Sequence, residues 1–128
     1  MDRNRVGQIS EQAFGLKLIS LGYDICKPLN PQSPYDWVSD IDGKLARIQV
    51  KTGRIPKNND NAIEFSCCAK TAKPYSETCD YFGVYCPELL SYYLIPVAII
   101  TTLGTARLIV NPFLNCYSDP IIAKIYQI

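Results

Sequence analysis

Apolar residues recur at helical spacing over residues 6–21, with Val6, Ile9, Ala13 and Leu16 on one stripe and Phe14, Leu18 and Leu21 beside it. Gly22 follows as a stop signal. The apolar arc is wide, which predicts a well-buried helix. Glu11 falls at the edge of that arc, beside Gly7 and Leu18, so its carboxylate is expected to point into a cleft or the protein. After a loop marked by Pro28, Pro31 and Pro34, residues 35–39 and 44–51 read as strands joined around Asp42 and Gly43, a strong hairpin signal. With that turn, cross-strand partners sum to 85, which sets Asp36 opposite Gln49. Strand alternation then gathers Arg47, Gln49 and Lys51 on one face and leaves Ala46, Ile48 and Val50 on the other, the core face.

Residues 53–61 form a polar, basic loop, and 62–66, 81–85, 92–96 and 105–110 read as further strands, rich in β-branched and aromatic residues and separated by Pro or Gly. The tail, 120–128, is apolar enough to pack as a short helix or strand. The pattern predicts one mixed α/β domain over residues 1–128, of the α+β type with a mixed sheet, an N-terminal helix, a hairpin and further strands. The longest uninterrupted apolar run, 94–100, has seven residues with a proline inside, too short to span a bilayer. The polar start, Asp2 to Arg5, reads as no secretory signal, so a cytoplasmic location with reduced thiols is expected.

The chain contains no histidine, which excludes Ser-His-Asp and Cys-His catalysis, HExxH metalloproteases, and HNH and His-Cys box nucleases. Any enzyme must use carboxylates, lysine, tyrosine, cysteine or a hard metal ion. Cysteines 26, 67, 68, 79, 86 and 116 lack the two-to-four-residue gap of zinc sites and read as small buried apolar side chains. Net charge is only +1, but residues 44–73 hold seven basic and two acidic groups. That block of Lys44, Arg47, Lys51, Arg54, Lys57, Lys70 and Lys73 suits a phosphate backbone, although a solvated face balanced by acidic flanks is an equal reading of the charges alone.

Asp36, then Gln49 and Lys51 thirteen and fifteen residues on, preceded by a helical Glu11, resembles the PD-(D/E)XK nuclease superfamily. In that family a first helix carries a Glu, the motif Asp stands near the start of a hairpin's first strand, and (D/E)-X-K lies on its second. The matching positions are Glu11, then Pro34, Tyr35 and Asp36, then Gln49, Val50 and Lys51, so the motif resemblance spans roughly residues 7–66. Within the superfamily the chain looks most like the small cyanobacterial group I intron-encoded homing endonucleases. They share its compact length, the Gln in place of the acidic motif residue, and strands like 80–85 and 92–96. Archaeal-type Holliday junction resolvases show a similar helical Glu, Asp and X-V-K strand, usually with a true Glu before the Val.

The resemblance implies a Mg²⁺-dependent, site-specific double-strand DNA endonuclease, with Mn²⁺ as a possible substitute. A junction resolvase or a non-catalytic nucleic-acid-binding module on the same fold are the alternatives. It assigns Asp36, Gln49 through its amide oxygen, the Val50 carbonyl and Glu11 to the metal, and Lys51 to the attacking water and the transition-state charge. Gln for Glu at position 49 removes one charge from the cage and implies weaker metal affinity. Arg47, Arg54 and Lys57, with Arg3 and Arg5 as an N-terminal arm, are the expected DNA contacts, and Asp80 and Glu88 read as structural or surface residues. A homodimer or homotetramer is expected, since one small domain offers few base-reading side chains.

Overall fold

The computed structural model describes residues 1–69, 73–115 and 117–128, so Lys70 of the basic block and Cys116 lie outside the described residues. Helix α1, Arg3–Ser20, opens with the Asp2 side chain capping the Arg5 N–H and ends at Leu21. Gly22 follows at φ +91°, a left-handed conformation that costs glycine little. The Gly22 N–H donates to the Ile19 carbonyl and the Tyr23 N–H to that of Leu18, the bond pattern of a Schellman cap. Strands β1, Ile25–Cys26, β2, Trp37–Ile41, and β3, Lys44–Thr52, come next. They are followed by β4, Ala62–Ser66, a single turn α2, Tyr75–Thr78, β5, Tyr81–Cys86, and β6, Ser91–Pro96. Strand β7, Thr105–Ile109, and a tail holding both β8, Ile121–Ile122, and a turn α3, Ala123–Tyr126, complete the chain.

Two sheets result. One has the order β1-β2-β3-β5-β6, with β3 and β5 parallel and its other pairs antiparallel; the second has the order β4-β7-β8. The Asp42-Gly43 turn has positive φ at both residues, and the β2–β3 register runs from Trp37 opposite Ile48 to Ile41 opposite Lys44, the pairing expected from the turn. Helix α1 covers one face of the larger sheet, burying Phe14 and Leu18 with Trp37, Ile48, Val50 and Tyr85. On the other side Phe82, Val84, Tyr93 and Ile95 pack with Ile63, Phe65, Ala106 and Leu108 of the smaller sheet. None of the described helices is long and apolar enough to cross a membrane.

The helix buries a different face from the expected one. Ser10, Phe14, Gly15 and Leu18 are buried, while Ile9, Leu16, Ile19 and Leu21 remain 45–67% exposed. Glycines decide this orientation. A Cβ on Gly15 would stand 2.7 Å from Cζ2 of Trp37, and one on Gly83 of β5 would stand 2.7 Å from Cε1 of Phe14. Gly15 on the helix admits the indole, and Gly83 on β5 admits the phenyl ring. Ser10 is accommodated through a 2.6 Å hydroxyl hydrogen bond to Thr52. The thiols also divide differently: Cys67, Cys79 and Cys86 are buried, whereas Cys26 and Cys68 are exposed, and all five are free. Arg3 and Arg5 form the first turn of α1 rather than an arm.

Candidate active site

β2 begins one residue after Asp36, and the ladder with β3 ends at Trp37 opposite Ile48, a step short of the expected Asp36–Gln49 pair. Asp36 instead donates its N–H to the Ile48 carbonyl at 2.9 Å, and its Oδ2 accepts the Val50 N–H at 2.8 Å. These two bonds fix the carboxylate at the mouth of the hairpin. On β3, Ala46, Ile48 and Val50 are buried toward the helix, while Arg47, Gln49 and Lys51 alternate with them and are half-buried. Gln49 is thus placed between the two residues to which the Asp36 backbone and side chain bond.

Glu11 reaches the same region from α1. Its backbone carbonyl accepts a 2.9 Å hydrogen bond from Trp37 Nε1, which ties the helix to the first residue of β2. The Glu11 carboxylate is ion-paired with Lys27, whose Nζ also lies 4.6 Å from the centre of the Trp37 ring. Lys51 donates to the Tyr75 hydroxyl at 2.9 Å, with its Nζ 4.7 Å from that ring's centre.

The charges are coupled. Burial is the main reason that the Asp36 carboxyl lies above its ordinary range; the Val50 N–H opposes the rise, Glu11 adds to it, and Lys27 and Lys51 oppose it. Burial likewise pushes the Lys51 ammonium below the ordinary lysine range, against the pull of Asp36 and the nearby thiols. Asp36 is therefore close enough to feel Glu11, Lys51 and Lys27, with Glu11 and Lys27 paired to each other. Among the described residues no group of three or more Asp, Glu, Cys or His could hold a metal ion. The local donors are two carboxylates, the Gln49 amide oxygen and a backbone carbonyl, all hard oxygens. Oxygens of this kind suit a hard divalent ion, and the repulsion that Asp36 feels from Glu11 is what such an ion would relieve.

Lys27 and Tyr75 are the participants that the sequence pattern did not flag. Lys27 sits in a proline-bounded loop and Tyr75 in a four-residue helical turn, where no periodicity marks a face. Among the described residues of the basic block, Arg47 and Arg54 are ion-paired and Lys51 is half-buried. Arg47 is bound to Asp80 by its N–H at 2.8 Å and by Nε and Nη2 at 3.2 Å each, and Nη1 donates to the Glu77 carbonyl. This holds the Asp80 carboxyl below its usual range. Arg54 pairs with Glu64 at 3.6 Å, which also binds Arg107 at 3.1 Å. Lys57 is exposed in the loop before β4. The guanidinium of Arg47 thus ties β3 to Asp80, the residue before β5, through a pair whose side chains remain partly exposed. Asp80 and Glu88 have structural roles, Glu88 accepting the Ile55 N–H at 3.1 Å.

A sequence model of the PD-(D/E)XK endonuclease family matches residues 1–111. No curated protein matches the chain. Among solved structures, the bacterial homing endonuclease I-Ssp6803I is similar, with a TM-score of 0.79 and 22% identity over 99% of this chain and 89% of that one. At that identity the likeness concerns the fold.

Proposed function

From the premise that this chain belongs to the PD-(D/E)XK endonuclease family, we propose that it is a Mg²⁺-dependent, site-specific endonuclease of double-stranded DNA, of the intron-homing type. The observation that carries the reading is the convergence of Glu11, Asp36 and Lys51 around the mouth of one hairpin, with both Asp36 and Lys51 displaced by burial from their ordinary protonation ranges. The homing character is supported by the fold shared with a bacterial homing endonuclease.

Asp36, Gln49 and the Val50 carbonyl would hold the divalent ion, with Glu11 holding a bound water or a second ion. When bound, Mg²⁺, or Mn²⁺ in its place, polarises the phosphoryl group and offsets charge on the leaving oxygen. The Val50 N–H fixes one oxygen of Asp36 and so orients the other. Lys51, held on the Tyr75 hydroxyl, loses its proton more easily than a solvated lysine, which suits it to draw a proton from the attacking water. In its charged form it offsets negative charge on the phosphoryl group. Lys57, Arg54, Arg3 and Arg5 supply phosphate contacts around this centre. Arg54 does so from its exposed pair with Glu64, and Arg3 and Arg5 from the exposed start of α1.

Purified protein incubated with a plasmid carrying an intron-insertion site and, separately, with a four-way junction tests the reading. Mg²⁺-dependent cutting of the plasmid alone is expected; cutting of the junction irrespective of sequence indicates a resolvase, and no cutting of either indicates a binding module. A recognition site longer than one copy can cover calls for a homodimer or homotetramer. Sedimentation at micromolar concentration is expected to give two or four times the mass of one 14.4 kDa chain, and a monomer under all conditions contradicts the assembly.

A further inference from the structure

Lys27 is built into the site in three ways. It is ion-paired with Glu11, it stands over the Trp37 ring, and its charge is felt by Asp36. The ring is not a chance neighbour: Trp37 donates to the Glu11 backbone and is packed so tightly on Gly15 that a Cβ there would overlap the indole. Glu11, Trp37 and Gly15 thus form a fixed seat for one ammonium group at the helix end of the site.

The charges of the site give that seat a consequence. Two carboxylates, Glu11 and Asp36, face two ammonium groups, Lys27 and Lys51, and Gln49 adds no charge. A first divalent ion can take Asp36, Gln49 and the Val50 carbonyl. A second would need Glu11, which already has a cation. We propose that Lys27 is a positioning residue whose ammonium group occupies the Glu11 end of the site and restricts it to one divalent ion per chain. The inference rests on the metal-dependent nuclease reading of the same site and deepens it.

The test measures Mn²⁺ binding to the intact protein without DNA, from the loss of the free-ion electron paramagnetic resonance signal. Wild type is expected to bind one Mn²⁺ per chain. Lys27→Met keeps the stem over the indole and removes the charge, and it is expected to admit a second Mn²⁺ per chain. Lys27→Gln provides the same readout if the methionine variant folds poorly, and exposed Lys124→Met is the control expected to match wild type. Wild type that binds one Mn²⁺ and cleaves, with both Lys27 variants still binding one ion per chain, overturns the role of Lys27 alone. Two ions on wild type overturn it as well. Wild type that neither binds Mn²⁺ nor cleaves overturns the nuclease reading and this inference together.

Discussion

Asp36 sits where its charged form is disfavoured, because burial and Glu11 together outweigh the Val50 N–H and the two lysines. A carboxyl whose folded-state pKa is raised binds its proton more tightly in the native protein. Its stabilising contribution is therefore complete below the ordinary value of 3.8 and is lost as pH rises through the folded value. In metal-free buffer at pH 7, Asp36→Asn is expected to raise stability by about 0.5–1 kcal/mol, since the amide oxygen can still accept the Val50 N–H. Thermal melts from pH 7 down to about 3 should show the advantage shrinking with acid, while cleavage at pH 7 is lost. Equal melting temperatures at pH 7 would mean that the carboxylate carries no such cost. Glu11, Asp36, Gln49 and Lys51 were legible as candidates because a motif spacing and a turn-defined register placed them relative to one another. Lys27 and Tyr75 were not, because they enter through tertiary contacts from irregular segments.

Among the elements, α1 is set against the β2–β3 hairpin by Trp37 on Gly15 and against β5 by Phe14 on Gly83. Gly15→Ala is expected to cost about 1–3 kcal/mol, the usual range for overpacking, and to reduce cleavage by shifting Trp37 and with it Glu11. Urea denaturation with parallel cleavage assays checks both effects; unchanged stability would mean that the indole has room to move. The hairpin was readable because Asp42 and Gly43 state their own backbone conformation. The helix was readable as an element, but its buried face was not. Apolar residues occupy both candidate stripes, and the choice rests on which small residues admit bulky partners from β2 and β5.

Across the whole molecule, the basic block of the sequence is divided by folding. Arg47 and Arg54 are drawn to Asp80 and Glu64, and Lys51 is turned into the site. A linear count of charges cannot show this, because both acidic partners come from other strands or loops. Lys57→Ala is expected to weaken DNA binding uniformly across sequences and to reduce the slope of log affinity against log salt by about one. Arg47→Ala should leave that slope unchanged while lowering thermal stability through loss of the Asp80 clamp. Fluorescence anisotropy over a salt series separates the two, and a slope change for Arg47→Ala as large as that for Lys57→Ala would make Arg47 a phosphate contact as well.

Whether Lys51 and the two carboxylates act together as a metal-dependent phosphodiesterase centre is decided by the single-turnover cleavage rate of Lys51→Ala against wild type on the same plasmid with Mg²⁺. The expected result is Mg²⁺-dependent double-strand cleavage by wild type and a rate at least about 10²-fold lower for the variant, with its fold intact. Full activity in Lys51→Ala, or equal cleavage by wild type with and without Mg²⁺, would contradict it.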